Sequence, residues 1–225
     1  MISRLHITPV VFIVGVVWLG LLAIDGVAVE LRWLGGLTSV IPILLVLLAV
    51  FDKWLWKWSW LRGWFTDRPL LCGTWQVTLQ TEWVDPKTGT TPAPILCYMA
   101  VRQSFSALSM RLMTSESPST LIAHGILRSG DGLYRVAGVY VNEPPVERRG
   151  GSSDRRSEVH HGAFLLDVHG TPPESLKGHY WTDRLTRGSM HLRGVRRRAY
   201  STFEEAHAAF TASPACPASV PPTSV

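Results

Sequence analysis

Polar side chains that could bind a ligand recur at inward-facing positions of several predicted β-strands. Because successive side chains of a strand point to opposite faces, residues two apart share a face with the apolar core. The set so placed is Trp75, Gln103, Tyr140, Asn142, Tyr180, Thr182 and Arg184. Guanidinium, hydroxyl and aromatic groups around one space predict a pocket for an anionic, aromatic ligand.

The same residues have a purely structural interpretation, which the sequence leaves open. A buried polar group without a partner costs about 1–3 kcal/mol, so inward polar side chains need partners in any case. They could satisfy one another as a polar plug, with Arg184 ion-paired to Asp167 or Glu143.

Eight segments of alternating or β-branched character, separated by turn residues, carry these side chains. Short antiparallel strands with no long helix between them predict a small closed barrel or a tight sandwich. The predicted strands are Leu71–Trp83, Ile95–Phe105, Leu108–Thr114, Thr120–Leu127, Leu133–Asn142, His160–Val168, Ser175–Thr182 and Ser189–Val195.

Three further segments complete this soluble part. Glu143–Val159, rich in Pro, Gly, Ser and charge, is predicted to be a mobile loop. Thr202–Thr211 is predicted to form one short helix, with Thr202 and Glu205 as a capping box. Ser213–Val225 has the composition of a disordered tail.

Two uncharged apolar runs, Ile7–Ile24 and Leu34–Phe51, precede the strands. As a helix, each run would be about 27 Å long, close to the hydrocarbon thickness of a bilayer. The sequence therefore predicts a membrane α-hairpin followed by an all-β, eight-stranded antiparallel barrel. The predicted domains are 1–68 for the hairpin, 69–200 for the barrel, and 201–225 for the short helix and tail.

Positive charge flanks the open end of this hairpin, with Arg4 before the first run and Lys53 and Lys57 after the second. The positive-inside rule then places the barrel in the cytoplasm. Five Trp residues follow the second run and are interpreted as a collar in the headgroup layer, although some of them could belong to the core. They are Trp54, Trp56, Trp58, Trp60 and Trp64.

The remaining composition excludes several function classes. All of the net charge of +5 lies beyond residue 51, which suits an anionic ligand or membrane surface but is too diffuse for a DNA or RNA partner. Three unevenly spaced Cys and scattered His give no metal-ligand motif. No nucleophile–base pair or phosphate-binding loop is present, so neither an enzyme nor a cofactor is predicted.

Six short segments of the chain, taken in order together with the two apolar runs, resemble the two-transmembrane, β-strand-rich effector family of bacterial CBASS anti-phage systems. The operons of these systems encode a cyclic-nucleotide synthase. The departures are the long charged loop Glu143–Val159 and the C-terminal tail. The matching segments are Leu71–Trp75, Val101–Phe105, Met110–Ser115, Tyr140–Pro144, His161–Gly162 and Gly178–Gly188.

This resemblance implies a barrel that binds a cyclic dinucleotide, self-associates into homo-oligomers and disrupts the lipid of the bacterial inner membrane. In such a receptor Arg184, Thr182 and Tyr180 would face the phosphates, Gln103 and Asn142 would read base edges, and Trp75 or Tyr140 would stack. The chief alternative is a membrane-anchored, lipocalin-like protein for a lipid or other apolar ligand. A ligand-free subunit of an envelope complex is a third class.

Overall fold

The computed structural model describes Gly15 and residues 45–61, 65–66, 68–145, 159–170 and 172–212. The predicted spans Ile7–Ile24 and Leu34–Phe51 lie largely outside these residues, and their described parts, Gly15 and 45–51, are helical. Within the described ranges, the structure contains no helix that is both long and apolar enough to cross a membrane. Most of the loop Glu143–Val159 and all of the tail Ser213–Val225 also fall outside the description.

The chain divides into two compact units, of which the smaller comprises the residues up to Thr66 together with Ser104–Ser106. In this unit helical residues 45–53 lead into two 3-10 helices, Leu55–Lys57 and Ser59–Leu61. Of the predicted Trp collar, Trp56 is fully buried, whereas Trp54, Trp58 and Trp60 are more than half exposed. Trp64 lies outside the described residues.

The larger unit is a closed barrel in which each strand pairs antiparallel with its neighbours in sequence and the last strand pairs with the first. This confirms the predicted eight-stranded antiparallel barrel and excludes the sandwich. The strands are β1 (Gly73–Thr81), β2 (Ile95–Gln103), β3 (Leu108–Met113), β4 (Pro118–Arg128), β5 (Tyr134–Asn142), β6 (His160–His169), β7 (Ser175–Thr182) and β8 (Arg187–Arg196).

Every second side chain of a strand points into the barrel, and most of these inward side chains are apolar. Trp75 and Val77 of β1, Val136 of β5, and Leu166 of β6 are at most 1% exposed. In β7 the inward positions end at Thr182, because the strand ends there. Arg184, predicted to continue this inward face, instead lies in the turn between β7 and β8.

The helix Phe203–Thr211 covers the outer face of β2, where Tyr98 is buried against Phe203 and Phe210 at ring-centroid distances of 5.5 and 5.1 Å. The predicted cap is confirmed in its first half, since Thr202 Oγ1 accepts from the Glu205 N–H at 3.2 Å. In a capping box the Glu205 carboxylate would accept from the Thr202 N–H. Here it accepts instead from the N–H of Ser201, one residue earlier.

Candidate ligand-binding cavity

A cavity of about 170 Å³ lies inside the barrel, toward the end where the odd-numbered strands finish and the even-numbered strands begin. Its apolar wall is formed by Leu79, Met99, Met110, Leu112, Leu121, Phe164 and Met190. Its polar wall is formed by Thr114, Ser119, Asn142, His160, Thr182 and Thr186, with Tyr140 and Tyr180 between the two. The polar residues sit at strand ends and turns, so they surround the mouth above an apolar floor.

Asn142, the last residue of β5, anchors one side of this mouth. Its Nδ2 donates to Ser119 Oγ at 2.8 Å and to Ser117 Oγ at 2.9 Å, and Ser117 Oγ is 3.2 Å from Oδ1. Ser119 is its cross-strand neighbour on β4. Both amide N–H groups are therefore committed within the protein, while Oδ1 keeps the capacity to accept from a ligand.

Tyr140 and Tyr180 lie over glycines of the neighbouring strands. Gly162 stands opposite Tyr140, and a Cβ added there would overlap the tyrosine ring. Gly188 stands opposite Tyr180, where an added Cβ would overlap the Gln80 carbonyl oxygen and crowd the Tyr180 ring. The missing side chains therefore leave room for both rings. Burial raises the pKa of both phenols, so they remain neutral hydrogen-bonding groups at physiological pH.

Thr182 borders the mouth two strands away from Asn142, on the far side of β6. Its Oγ1 lies 2.6 Å from Thr186 Oγ1 across the turn between β7 and β8. The turn also contains charged residues. One of them, Asp183, accepts a hydrogen bond from the His161 backbone N–H at 2.9 Å. That bond, more than the neighbouring cations, lowers the pKa of Asp183 and keeps it ionised. Arg184, next in the turn, is half-buried and outside the cavity lining.

Gln103 and Trp75 lie away from the lining and hold the segment that enters β1. Gln103 Oε1 accepts from the Leu71 N–H at 2.9 Å, and its Nε2 donates to the Pro69 carbonyl at 3.0 Å. Trp75 Nε1 donates to the Leu71 carbonyl at 2.9 Å. Both side chains thus have structural partners, and their role in ligand binding stays a prediction.

Of the seven predicted residues, the structure brings four together in the cavity wall, namely Tyr140, Asn142, Tyr180 and Thr182. Of the polar wall, the sequence reasoning missed Thr114, Ser119, His160 and Thr186. The strand order could have indicated these residues, because antiparallel pairing places the start of an even-numbered strand beside the end of an odd-numbered one. The proposed pairing of Arg184 with Asp167 does not occur among the described contacts, where Arg135 Nε binds Asp167 Oδ1 at 2.6 Å.

The described lining of the cavity contains no Lys, Arg, Asp or Glu. Apart from His160 at the entrance, its chemistry is that of an uncharged, partly aromatic space with hydrogen-bonding groups around the mouth. Such a lining suits a flat, uncharged ring system, and any charged part of the same ligand would remain near the mouth, because burying an unpaired charge is costly.

A comparison with known protein families finds a match for the barrel part of the chain. Residues 66–194 match the family model of the Cap15, cyclic dinucleotide receptor domain. The matched segment is more than half of the chain and contains the cavity lining and all but the last two residues of β8, whereas the helix Phe203–Thr211 lies beyond it. No curated protein matches the chain.

Proposed function

The chain belongs to the Cap15 cyclic dinucleotide receptor family of CBASS effectors, and we propose that its barrel binds a cyclic dinucleotide in the end cavity. This membership confirms the resemblance to a CBASS effector family, while the two transmembrane spans stay a prediction. The main support for this ligand site is the cavity itself, which lies inside the matched segment. Asn142, Thr182 and Ser119 form its polar mouth over an apolar floor.

The chemistry of a cyclic dinucleotide supports this assignment. Each base is a flat ring with donors and acceptors on its edge, and the cavity offers the rings of Tyr140 and Tyr180 beside the Asn142 amide. The two phosphates need donors, and Arg184 lies in the turn that borders Thr182. We assign Arg184 to the phosphates.

We further propose that ligand binding drives assembly of the full chain in the bacterial inner membrane and disrupts that membrane. The two apolar runs would be the spans, in the domain division 1–68, 69–200 and 201–225. The exposed rings of Trp54, Trp58 and Trp60 support an interfacial position, since Trp favours the headgroup layer. Lys53 and Lys57 among them favour a cytoplasmic barrel.

The test of ligand binding uses the full chain, purified in detergent, and a panel of cyclic di-AMP, cyclic di-GMP and cyclic GMP–AMP. We expect isothermal titration calorimetry to detect binding of at least one of the three. A folded protein that binds none of them would refute the proposal.

The membrane part has a separate test. The full chain reconstituted in liposomes should release trapped dye only when a bound member of the panel is added. A reporter fused after Arg68 should locate the barrel in the cytoplasm. Dye release without ligand, or a periplasmic reporter, would contradict the membrane mechanism while leaving the ligand site intact.

A further inference from the structure

The cavity is the size of one ring system. Its volume of about 170 Å³ is close to the roughly 150 Å³ of an engineered cavity that holds a single benzene. Pockets that bury most of a drug-sized ligand measure about 300–1,000 Å³. A cyclic dinucleotide has two bases, two riboses and two phosphates, so only one of its bases fits inside one barrel.

The lining supports the same division of the ligand. The described wall contains no Lys or Arg, and its one basic side chain, His160, begins β6 at the mouth, so no fixed positive charge faces a phosphate in the interior. The spare hydrogen-bonding capacity of Asn142 and Thr182 is also small, because both Asn142 N–H groups are committed to Ser117 and Ser119, and Thr182 shares a hydrogen bond with Thr186. What remains matches the edge of one base rather than two.

The second base would then project from the mouth, beyond the described lining of the cavity. It has the same chemistry as the first, and the surface built to take such a ring is the cavity of another copy of this chain. We propose that one cyclic dinucleotide bridges two barrels mouth to mouth, with one base in each cavity and the phosphates between them. This inference rests on the proposed function and gives it a mechanism, because the ligand itself joins the chains.

Bridging has a consequence that one-to-one binding lacks. With chains in excess, one ligand should hold two chains. With ligand in large excess, each cavity fills with its own ligand and the pairs separate by mass action. Pairing should therefore rise and then fall as ligand is added.

The test uses the full chain in detergent with whichever of cyclic di-AMP, cyclic di-GMP and cyclic GMP–AMP binds. Calorimetry should give about half a ligand per chain when ligand is added to excess chain, and sedimentation velocity should detect pairs that decline at a large excess of ligand. Cyclic GMP, which has one base, should not pair the chains at any concentration.

A ratio of one ligand per chain throughout, or pairing by cyclic GMP, would overturn the bridge but leave the cavity as a ligand site. Failure of all three cyclic dinucleotides to bind would instead overturn the proposed function, and the bridge with it. The Gln76→Ala variant is the matched control, because Gln76 lies on the outward face of β1 and outside the lining, so pairing should persist.

Discussion

Two buried amides in this barrel allow ligand binding to be separated from stability. Asn142 and Gln103 are 6% and 7% exposed, and each makes hydrogen bonds to groups within the barrel. Asn142 lines the cavity, whereas Gln103 does not. Replacing each by an apolar residue of similar size, Asn142→Leu and Gln103→Met, removes the same chemistry from two different places.

Both variants should lose stability for the same reason. Asn142→Leu leaves the Ser119 and Ser117 hydroxyls without their amide partner, and Gln103→Met leaves the Leu71 N–H and the Pro69 carbonyl without theirs. Each buried group left unsatisfied costs about 1–3 kcal/mol of unfolding free energy. Each kcal/mol corresponds to about 2–8 °C in melting temperature for domains near this size. Thermal unfolding followed by circular dichroism measures both losses.

Ligand affinity should separate the two variants. Asn142 Oδ1 has one acceptor position left for a base, and a neutral hydrogen bond contributes about 0.5–1.5 kcal/mol, or about 2- to 13-fold in dissociation constant. Asn142→Leu should weaken binding of a cyclic dinucleotide by this factor, while Gln103→Met should leave it within about twofold. Equal weakening by both, measured below their melting temperatures, would refute the placement of the site.

Three further predictions follow from the turn and the strands. Arg184→Ala should weaken ligand binding about 10- to 150-fold in calorimetry through loss of a charge-assisted bond worth about 1.5–3 kcal/mol, and unchanged affinity in a folded variant would contradict the phosphate assignment. Gly178→Ala should greatly lower the melting temperature because its Cβ would overlap the Leu165 carbonyl, whereas Gly125→Ala, with no atom within 4 Å of the added Cβ, should change it little. Cys97 should resist maleimide at pH 8 in the folded chain and react once unfolded, because burial raises the pKa of its thiol to about 12, and rapid labelling mapped to Cys97 by mass spectrometry would contradict the packing.

The fold could be predicted because alternation in β-strands is a local signal. Each strand shows its own inward face, as β5 does with Val136 and Asn142, and turn residues such as Gly132 mark the boundaries. The closure of β8 on β1 removes the sheet edges, which local patterns favour but do not require. The apolar runs near the start are equally clear, but their structure lies largely outside the described residues.

The candidate site was harder to predict because facing inward does not say which end of the barrel a residue reaches. Gln103 ends β2 and Asn142 ends β5, and both share a face with the core. Because neighbouring strands are antiparallel, the end of an even-numbered strand lies opposite to the end of an odd-numbered one. Counting the strands would therefore have assigned Gln103 and Asn142 to opposite ends of the barrel. The turn at Arg184 could not be found so simply, since the inward alternation of the sequence continues through Arg184 although β7 ends at Thr182.

The two ends of the barrel therefore have different physical properties. One end is packed with the fully buried side chains of Leu71 and Trp75, and the Gln103 and Trp75 side chains hydrogen-bond there to the Leu71 backbone. The other end keeps an unfilled volume bordered by Asn142 and Thr182. Large buried side chains contribute most of the burial free energy, so stability is concentrated where the cavity is not. A ligand can therefore enter or leave the open end without disturbing the packing that holds the barrel closed.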